Sequence, residues 1–160
     1  MNTSNPKISE ESVWDYPRPP RIERVDWHLK IEQDGLVIAE TRSAVRVLET
    51  SHPPCFYLPP DDINFDRLES SPSRTFCEWK GSARYWHLKT EDGLVNDAAW
   101  AYADPVDPII KDHLSFYAGR VEACYVNGER VVAQEGDFYG GWILSWVKGP
   151  FKGGPGTRGW

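Results

Sequence analysis

Three two-residue sequences that favour tight hairpin turns constrain the fold of this chain more than any other feature. They are Asp34-Gly35, Asp92-Gly93 and Asn127-Gly128, and each stands between segments in which apolar and polar residues alternate. Asp-Gly and Asn-Gly supply the two positive φ angles that a type I′ turn needs. Alternation on both sides is typical of strands that have one buried face. Three such hairpins in 160 residues predict an all-β (mainly β) protein built from antiparallel sheets.

The rest of the chain offers further strands but little helix. Asp107 as an N-cap, followed by Pro108, predicts a short helix that ends near Leu114. One more helical turn is predicted around residues 63–68. We therefore expect fewer than about a fifth of the residues in α-helix, against the usual third. Strands are also predicted at three further places: 44–48, 55–58 and 75–79.

The chain is long enough for one hydrophobic core, and its composition divides it into three parts. Residues 1–20 are polar and proline-rich, and we interpret them as an N-terminal arm. Residues 21–136 carry the predicted strands and form the β domain. Residues 137–160 are rich in glycine and tryptophan, and we expect them to dock on the domain as a tail. The tail lacks the Gly-Lys-Ser/Thr sequence of a phosphate-binding loop.

Charge and cysteine content exclude several classes of partner. The net charge is −6 and no block of Lys or Arg occurs, so we expect no nucleic-acid partner. No long apolar run occurs, so we expect a soluble, cytoplasmic protein with no membrane partner. Cys55, Cys77 and Cys124 are widely spaced and predict neither a metal site nor a disulfide. We expect no cofactor, and the sequence leaves homo-oligomerisation open.

Residues 75–86 are the densest candidate site. They read Thr-Phe-Cys-Glu-Trp-Lys-Gly-Ser-Ala-Arg-Tyr-Trp. In a regular strand Cys77 and Lys80 would point to opposite faces. Gly81 permits a bulge that would bring both groups to one cavity. The alternatives are a buried thiol with a lysine that merely covers the surface, a lysine that anchors a ligand, and covalent catalysis by Cys77.

A second group of aromatic residues lies at Trp100 and Tyr102, which share one strand face and are separated by a small alanine. Two large rings placed in this way either fill a core or line an aromatic pocket. The segment His52-Pro-Pro-Cys-Phe-Tyr57 is a rigid turn that leads into a strand, and it makes His52 the most interesting of the histidines. No local signature connects any histidine to Cys77.

Three segments in consecutive order resemble the family known as domain of unknown function 427. They are residues 46–59, 76–86 and 99–105, and the Cys-x-x-Lys-Gly element at Cys77 is the most specific part. The resemblance covers about residues 24–128. It implies a β-tent of two antiparallel sheets that meet at an angle, with one or two short helices. It also implies a pocket lined by the residues at six positions: Tyr57, Cys77, Lys80, Gly81, Trp100 and Tyr102.

The family is also labelled nucleotidyltransferase-like, and this label implies two carboxylates that hold Mg²⁺. Gly81-Ser82 is followed by Asp92, but Leu94 stands at the position of the second carboxylate. Two-metal chemistry needs both acids. The sequence therefore departs from that pattern at the residue on which the chemistry depends.

Three functions remain open at this stage. The first is a small-molecule-binding β domain in which Lys80 anchors an anionic or carbonyl-bearing ligand in an aromatic pocket. The second is an enzyme, with either Cys77 as the nucleophile or a nucleotidyltransferase activity. The third is a protein-interaction module that uses the C-terminal tail.

Overall fold

A computed structural model describes residues 8–77, 80–105, 107–136, 139–154, 156–157 and 159–160, and at Cys77 it describes the backbone alone. The protein is of the all-β class: 49% of the described residues are in strands and 10% are helical, and no helix among them reaches seven residues. The helices in this part of the chain are all 3₁₀ turns: Val13–Asp15, Pro60–Asp62, Phe65–Arg67, Pro108–Ile110 and Ala118–Arg120. The strands are β1 Glu11–Ser12, β2 Arg21–Arg24, β3 Leu29–Gln33, β4 Leu36–Thr41, β5 Val45–Leu48, β6 Cys55–Tyr57, β7 Leu68–Cys77, β8 Gly81–Thr90, β9 Gly93–Tyr102, β10 Ser115–Phe116, β11 Ala123–Val126, β12 Glu129–Arg130, β13 Val132–Ala133, β14 Trp142–Ile143 and β15 Val147–Lys148.

Two four-stranded antiparallel sheets dominate the architecture. One has the strand order β10-β9-β8-β7, and the other has the order β12-β11-β3-β4. A three-stranded antiparallel sheet, β2-β5-β6, accompanies them. The antiparallel prediction is therefore confirmed, and the low helix content is confirmed with it.

All three predicted hairpins form, but one turn differs from the prediction. Asp34 and Gly35 both have positive φ, at 54° and 75°, and so do Asn127 and Gly128, at 49° and 83°. At the tip between β8 and β9 only Gly93 has positive φ, at 111°, because Glu91 and Asp92 are the two loop residues and Thr90 pairs with Gly93. The expectation of a type I′ turn at Asp92-Gly93 was wrong, since the glycine stands one position later in the turn.

The helix predicted from Asp107 to Leu114 is a single 3₁₀ turn. The Asp107 carboxylate does accept a hydrogen bond from the Ile109 N–H, as an N-cap should. The turn ends at Ile110 because the following residues pair with strands: Asp112 N–H donates to the Tyr102 carbonyl, and Leu114 exchanges two hydrogen bonds with Leu58. Tertiary pairing has therefore overridden a correct start signal. The turn predicted around residues 63–68 is likewise one 3₁₀ turn, Phe65–Arg67.

The first and the last strands that the structure describes are packed against each other. β1 pairs with β15 in parallel, and the Trp14 indole N–H donates to the Pro150 carbonyl at 2.8 Å. Trp142, in β14, is fully buried and donates its indole N–H to the Phe116 carbonyl at 2.9 Å. The division of the chain at 20/21 and at 136/137 stays a prediction. Residues from all three parts nevertheless share the main core, as Val13, Phe56 and Trp142 do.

Candidate functional site

One face of the β7–β9 sheet carries a row of aromatic side chains. Tyr85 on β8 lies opposite Trp100 on β9, and Ala83 lies opposite Tyr102. Because side chains alternate along a strand, these four residues point to the same side of the sheet. All four are buried, whereas Arg84, which lies between Ala83 and Tyr85, is exposed. Trp100 and Tyr102 thus lie on the same face of β9, as the sequence predicted.

The β5–β6 pair supplies the facing side chains. Val45 lies opposite Tyr57 and Val47 lies opposite Cys55 in the antiparallel ladder. Tyr57 meets Trp100 edge to face, with ring centroids 6.1 Å apart. These residues form a second hydrophobic cluster, separate from the main core, and the cluster is mostly aromatic.

A cavity of about 230 Å³ lies against this second cluster. Its described lining includes seven aromatic residues with polar residues between them, and one of the seven, Phe76, is 75% exposed. A concave apolar surface with a few convergent polar groups is the usual form of a small-molecule site. The lining aromatic residues other than Phe76 are Tyr57, Tyr85, Trp100, Tyr102, Tyr117 and Tyr139.

The hydroxyl groups of this wall are joined by hydrogen bonds. The Trp100 indole N–H donates to the Tyr57 hydroxyl at 3.2 Å, and the Thr75 and Tyr85 hydroxyls lie 2.8 Å apart. Burial raises the pKa values of Tyr57 and Tyr117 well above that of an exposed phenol. The two phenols therefore remain neutral near pH 7 and cannot themselves supply negative charge to the cavity.

Charged side chains reach the cavity from three separate segments. Lys80 and Lys152 contribute two ammonium groups, and Glu49 contributes a carboxylate. His52 also lines the cavity, and its pKa is lowered to about 4 because burial disfavours the imidazolium and because both lysines repel it, against the attraction of Glu49. His52 is therefore neutral near pH 7. The ionised groups in the described lining then sum to one net positive charge.

The remaining wall comes from the chain after β13. The Tyr139 ring lies 5.0 Å from the His52 ring in an edge-on arrangement, and Lys152 Nζ lies 5.3 Å from the Tyr139 ring centroid. Gly140 packs directly against Trp100, since a Cβ built on Gly140 would stand 2.2 Å from Trp100 Cη2. No larger residue fits at position 140 without a shift of one of the two.

Four of the six residues implied by the resemblance line this cavity: Tyr57, Lys80, Trp100 and Tyr102. Gly81 is not among the described lining residues. Its role is conformational, because the backbone there needs a residue without a side chain. Its φ is +97°, and a Cβ there would stand 3.0 Å from the Asp104 carbonyl oxygen. The side chain of Cys77 lies outside the described part of the structure.

The bulge that Gly81 would permit does not form, because Gly81 stands at the start of a strand. Cys77 ends β7 and pairs with Gly81, which begins β8, so Lys80 belongs to the connection between two strands and not to a strand. The strand predicted over 75–79 is the end of a longer one, β7, and residues 78 and 79 lie outside the described part. The connection between the strands presents Lys80 to the cavity.

Sequence reasoning missed Cys55, Tyr139 and Lys152 as lining residues, and it singled out His52 without placing it. Cys55 could have been found, because it alternates with Tyr57 on β6. Tyr139 and Lys152 stand in irregular backbone, where no periodicity reveals which way a side chain points.

The described residues offer neither a metal site nor a membrane-spanning helix. There, no group of three or more His, Cys, Asp or Glu side chains is placed to hold a metal ion. Neither Cys55 nor Cys124 takes part in a disulfide. Among the helices that the structure describes, none has the length and apolar character needed to cross a membrane. The cytoplasmic location expected from the sequence stays a prediction.

The fold and the site together define a mainly β domain with an aromatic cavity that two lysines reach. Residues 21–127 match the model of the family described as "Domain of unknown function (DUF427)", so the chain belongs to that family. The resemblance in the sequence is thereby confirmed. A search of curated proteins found no match to this chain. The family match contains Tyr57, Lys80, Trp100 and Tyr102, whereas Tyr139 and Lys152 lie beyond it.

Proposed function

We propose that this protein binds a small molecule that has a flat apolar body and an anionic group. The observation that carries the proposal is that Lys80 lines a cavity whose described lining also holds seven aromatic side chains. Aromatic faces offer a planar ligand large contact areas, and a cation beside them fixes the orientation of an anionic group. In the described part of the chain no carboxylate forms an ion pair with Lys80.

The composition of the cavity bears on the nucleotidyltransferase alternative. Asp92 stands in the hairpin turn between β8 and β9 and is not among the described lining residues. Glu49 is the sole carboxylate in the described lining. A two-metal phosphoryl or nucleotidyl transfer site needs at least two carboxylates close together. These observations favour binding over that chemistry.

The test is direct binding of simple aryl anions to wild type and to Lys80→Met. Benzoate, phenylacetate and phenyl sulfate are suitable probes, and isothermal titration calorimetry gives the affinity. Loss of a charge-assisted hydrogen bond costs about 1.5–3 kcal/mol, so Lys80→Met should bind the probes at least about tenfold more weakly. The melting temperature should change by less than about 2 °C, as expected for a change that is not in the core.

Lys89→Met is the matched control, because Lys89 is exposed and lies on β8 of the same hairpin. It should bind as wild type does. Equal binding by wild type and Lys80→Met would remove Lys80 as the anchor. If no aryl anion binds at about 10 mM, a concentration well above a weak dissociation constant of about 1 mM, the proposed function itself is wrong.

A thiol-dependent enzyme is a second candidate, and a specific observation favours it. The half-buried Cys55 and the neutral His52 line the same cavity as the two lysines. Reactive thiols occur in partly exposed, electropositive surroundings of this kind. In a Cys77→Ser background, iodoacetamide should then modify Cys55 much faster than Cys124, whose pKa is raised by burial. Equally slow modification of both would leave Cys55 as a packing residue.

A further inference from the structure

Two lysines that are distant in the sequence reach the same cavity. Lys80 directly precedes β8, and Lys152 follows β15 in the C-terminal segment. The family match ends at residue 127, so Lys152 is an addition from the part of the chain beyond the match. The number of lysines at the cavity matters because the charge of the protein groups determines which ligand charge is favoured.

The backbone of Lys152 is fixed on both sides. Its N–H donates to the Ser51 carbonyl at 2.8 Å, and its carbonyl accepts a hydrogen bond from Gln134 Nε2 at 2.6 Å. The Gln134 side chain is 5% exposed, and its oxygen also accepts from the Gly141 N–H at 3.0 Å. The backbone of Lys152 is thus held beside the cavity by two buried residues, Ser51 and Gln134.

The two ammonium groups are not neutralised by the acid that shares their cavity. In the described part of the chain Glu49 forms no ion pair with either lysine within 4.0 Å. The imidazolium form of His52, which also lines the cavity, is repelled by both lysines. Two like charges beside one small cavity repel each other, and a group that carries two negative charges offsets this repulsion better than one that carries a single charge.

We propose that the ligand's anionic group is doubly charged, as in the phosphate monoester of an aryl alcohol, and that Lys80 and Lys152 hold it together. This inference rests on the proposed function and narrows its ligand class. A phosphate monoester has three terminal oxygens around one atom, so two ammonium groups from different directions can each take an oxygen. A carboxylate offers two oxygens in one plane, and a sulfate ester carries a single charge.

Phenyl phosphate and phenyl sulfate provide the discriminating pair of probes. They have nearly the same shape, but the phosphate loses its second proton near pH 6 and is a dianion at about pH 7.5, whereas the sulfate stays a monoanion. At constant ionic strength, wild type should bind phenyl phosphate at least about tenfold more tightly than phenyl sulfate, because the second negative charge offsets the repulsion between the two ammonium groups more fully.

This preference should decrease between about pH 7.5 and pH 5.5, as the phosphate takes up its proton. The titratable groups that face the probe are Lys80, Lys152, Glu49, His52, Cys55 and the tyrosines. Phenyl sulfate, whose charge is constant over this window, is the control for any titration of these groups. His52, with its pKa of about 4, and the buried Tyr57 and Tyr117 remain neutral over this window. The pH dependence therefore reports on the charge of the probe.

Lys152→Met should abolish the preference for phosphate while it retains binding of phenyl sulfate within about threefold. Lys148→Met is the control, since Lys148 is in the same segment and its side chain is 52% exposed. Equal binding of the two probes by wild type at about pH 7.5, or a preference that persists in Lys152→Met, would overturn the inference and leave the proposed function standing. If no aryl anion binds at all, the proposed function fails and the inference fails with it.

Discussion

The two walls of the cavity are built in different ways. One wall consists of side chains on paired strands, with Tyr85 and Trp100 held opposite each other by the β8–β9 ladder. The other consists of irregular chain, in which Tyr139, Gly140 and Lys152 are placed by a few individual contacts. A ladder fixes many side chains by one register, whereas each residue of irregular chain needs its own contact. The second wall should therefore be the easier one to disturb.

The second wall depends on the N-terminal arm as well as on the domain. Ser51 N–H donates to the Val13 carbonyl at 3.0 Å, while the Ser51 carbonyl accepts from the Lys152 N–H. Arg18 reaches the other end of the chain, with its guanidinium donating to the Trp160 carbonyl at 2.6 Å. Ser51 thus joins the arm to the segment that carries Lys152. Changes that release the arm should reach the cavity through this connection.

The largest effect is expected from Arg46→Met, which removes the cation that binds the arm. Arg46 is 4% exposed, and it donates to both Glu11 carboxylate oxygens, at 2.8 and 3.0 Å. Loss of one partner of a buried ion pair costs about 3–5 kcal/mol, and Glu11 is 28% exposed, so we expect a loss of about 3 kcal/mol in the free energy of unfolding. Urea unfolding measures it.

Arg21→Met is the control for this substitution, because the Arg21 side chain is 59% exposed and its ion pair with Glu23 lies at the surface. It should change the free energy of unfolding by less than about 0.5 kcal/mol. A loss below about 1 kcal/mol in Arg46→Met would mean that the arm is an attachment and not a part of the cooperative fold.

A smaller but more local effect is expected from Gly140→Ala. The added Cβ would stand 2.2 Å from Trp100 Cη2 and 2.7 Å from Cζ3, so the indole or the segment must move. Overpacking of this kind costs about 1–3 kcal/mol. The affinity for phenyl sulfate should fall as well, because Gly140 and Trp100 both line the cavity. Thermal unfolding and calorimetric titration measure the two effects.

Gly159→Ala is the matched control, since a Cβ at Gly159 meets no heavy atom within 4 Å. It should leave both stability and binding unchanged. If Gly140→Ala destabilises the protein but binds phenyl sulfate as wild type does, the second wall is not part of the binding site. In that case the wall of paired strands alone would bind the ligand, and the irregular chain would contribute only to stability.

The strand wall could be predicted from the sequence because its determinants are local. The Asp92-Gly93 pair located the hairpin between β8 and β9, although not its turn type, and the alternation of Trp100 and Tyr102 with alanines assigned their common face. Where a short-range signal competes with a long-range one, the prediction failed. Asp107 capped its turn as expected, but pairing with distant strands ended the helix at Ile110.

The second wall, built of irregular chain (the coil wall), could not be predicted, because its determinants are contacts between residues that are distant in the sequence. The position of Lys152 depends on Gln134 and Ser51, and these contacts cross 18 residues in one case and far more in the other. Glycine-rich sequence carries no periodicity from which a contact could be inferred. Lys80 was found because the residues around it are unusual in themselves, but its place in a connection between strands depended on how Cys77 and Gly81 pair.

The smallest of the expected effects concerns acid and again bears on the arm. Burial raises the pKa of Glu11, but hydrogen bonds from Arg46 and Tyr16 and the charges of Arg46 and Arg21 lower it by more, so the pKa lies below its ordinary value of 4.5. Because the folded-state pKa is depressed, the ionised Glu11 stabilises the protein above about pH 4.5. This contribution is lost as the pH falls through the folded-state pKa.

Glu11→Gln should therefore unfold more easily than wild type at about pH 7, by about 1 kcal/mol, which is less than a buried charged hydrogen bond because the side chain is 28% exposed. The difference should shrink as the pH is lowered below about 4.5, since wild-type Glu11 then takes up its own proton. Urea unfolding of both proteins, at about pH 7 and at a pH below about 4.5, measures this difference. Glu10→Gln is the control, because the Glu10 side chain is 71% exposed and should show no such pH dependence. A difference that is equal at both pH values would show that Glu11 holds the arm by its shape and not by its charge, and the coil wall would then be insensitive to acid.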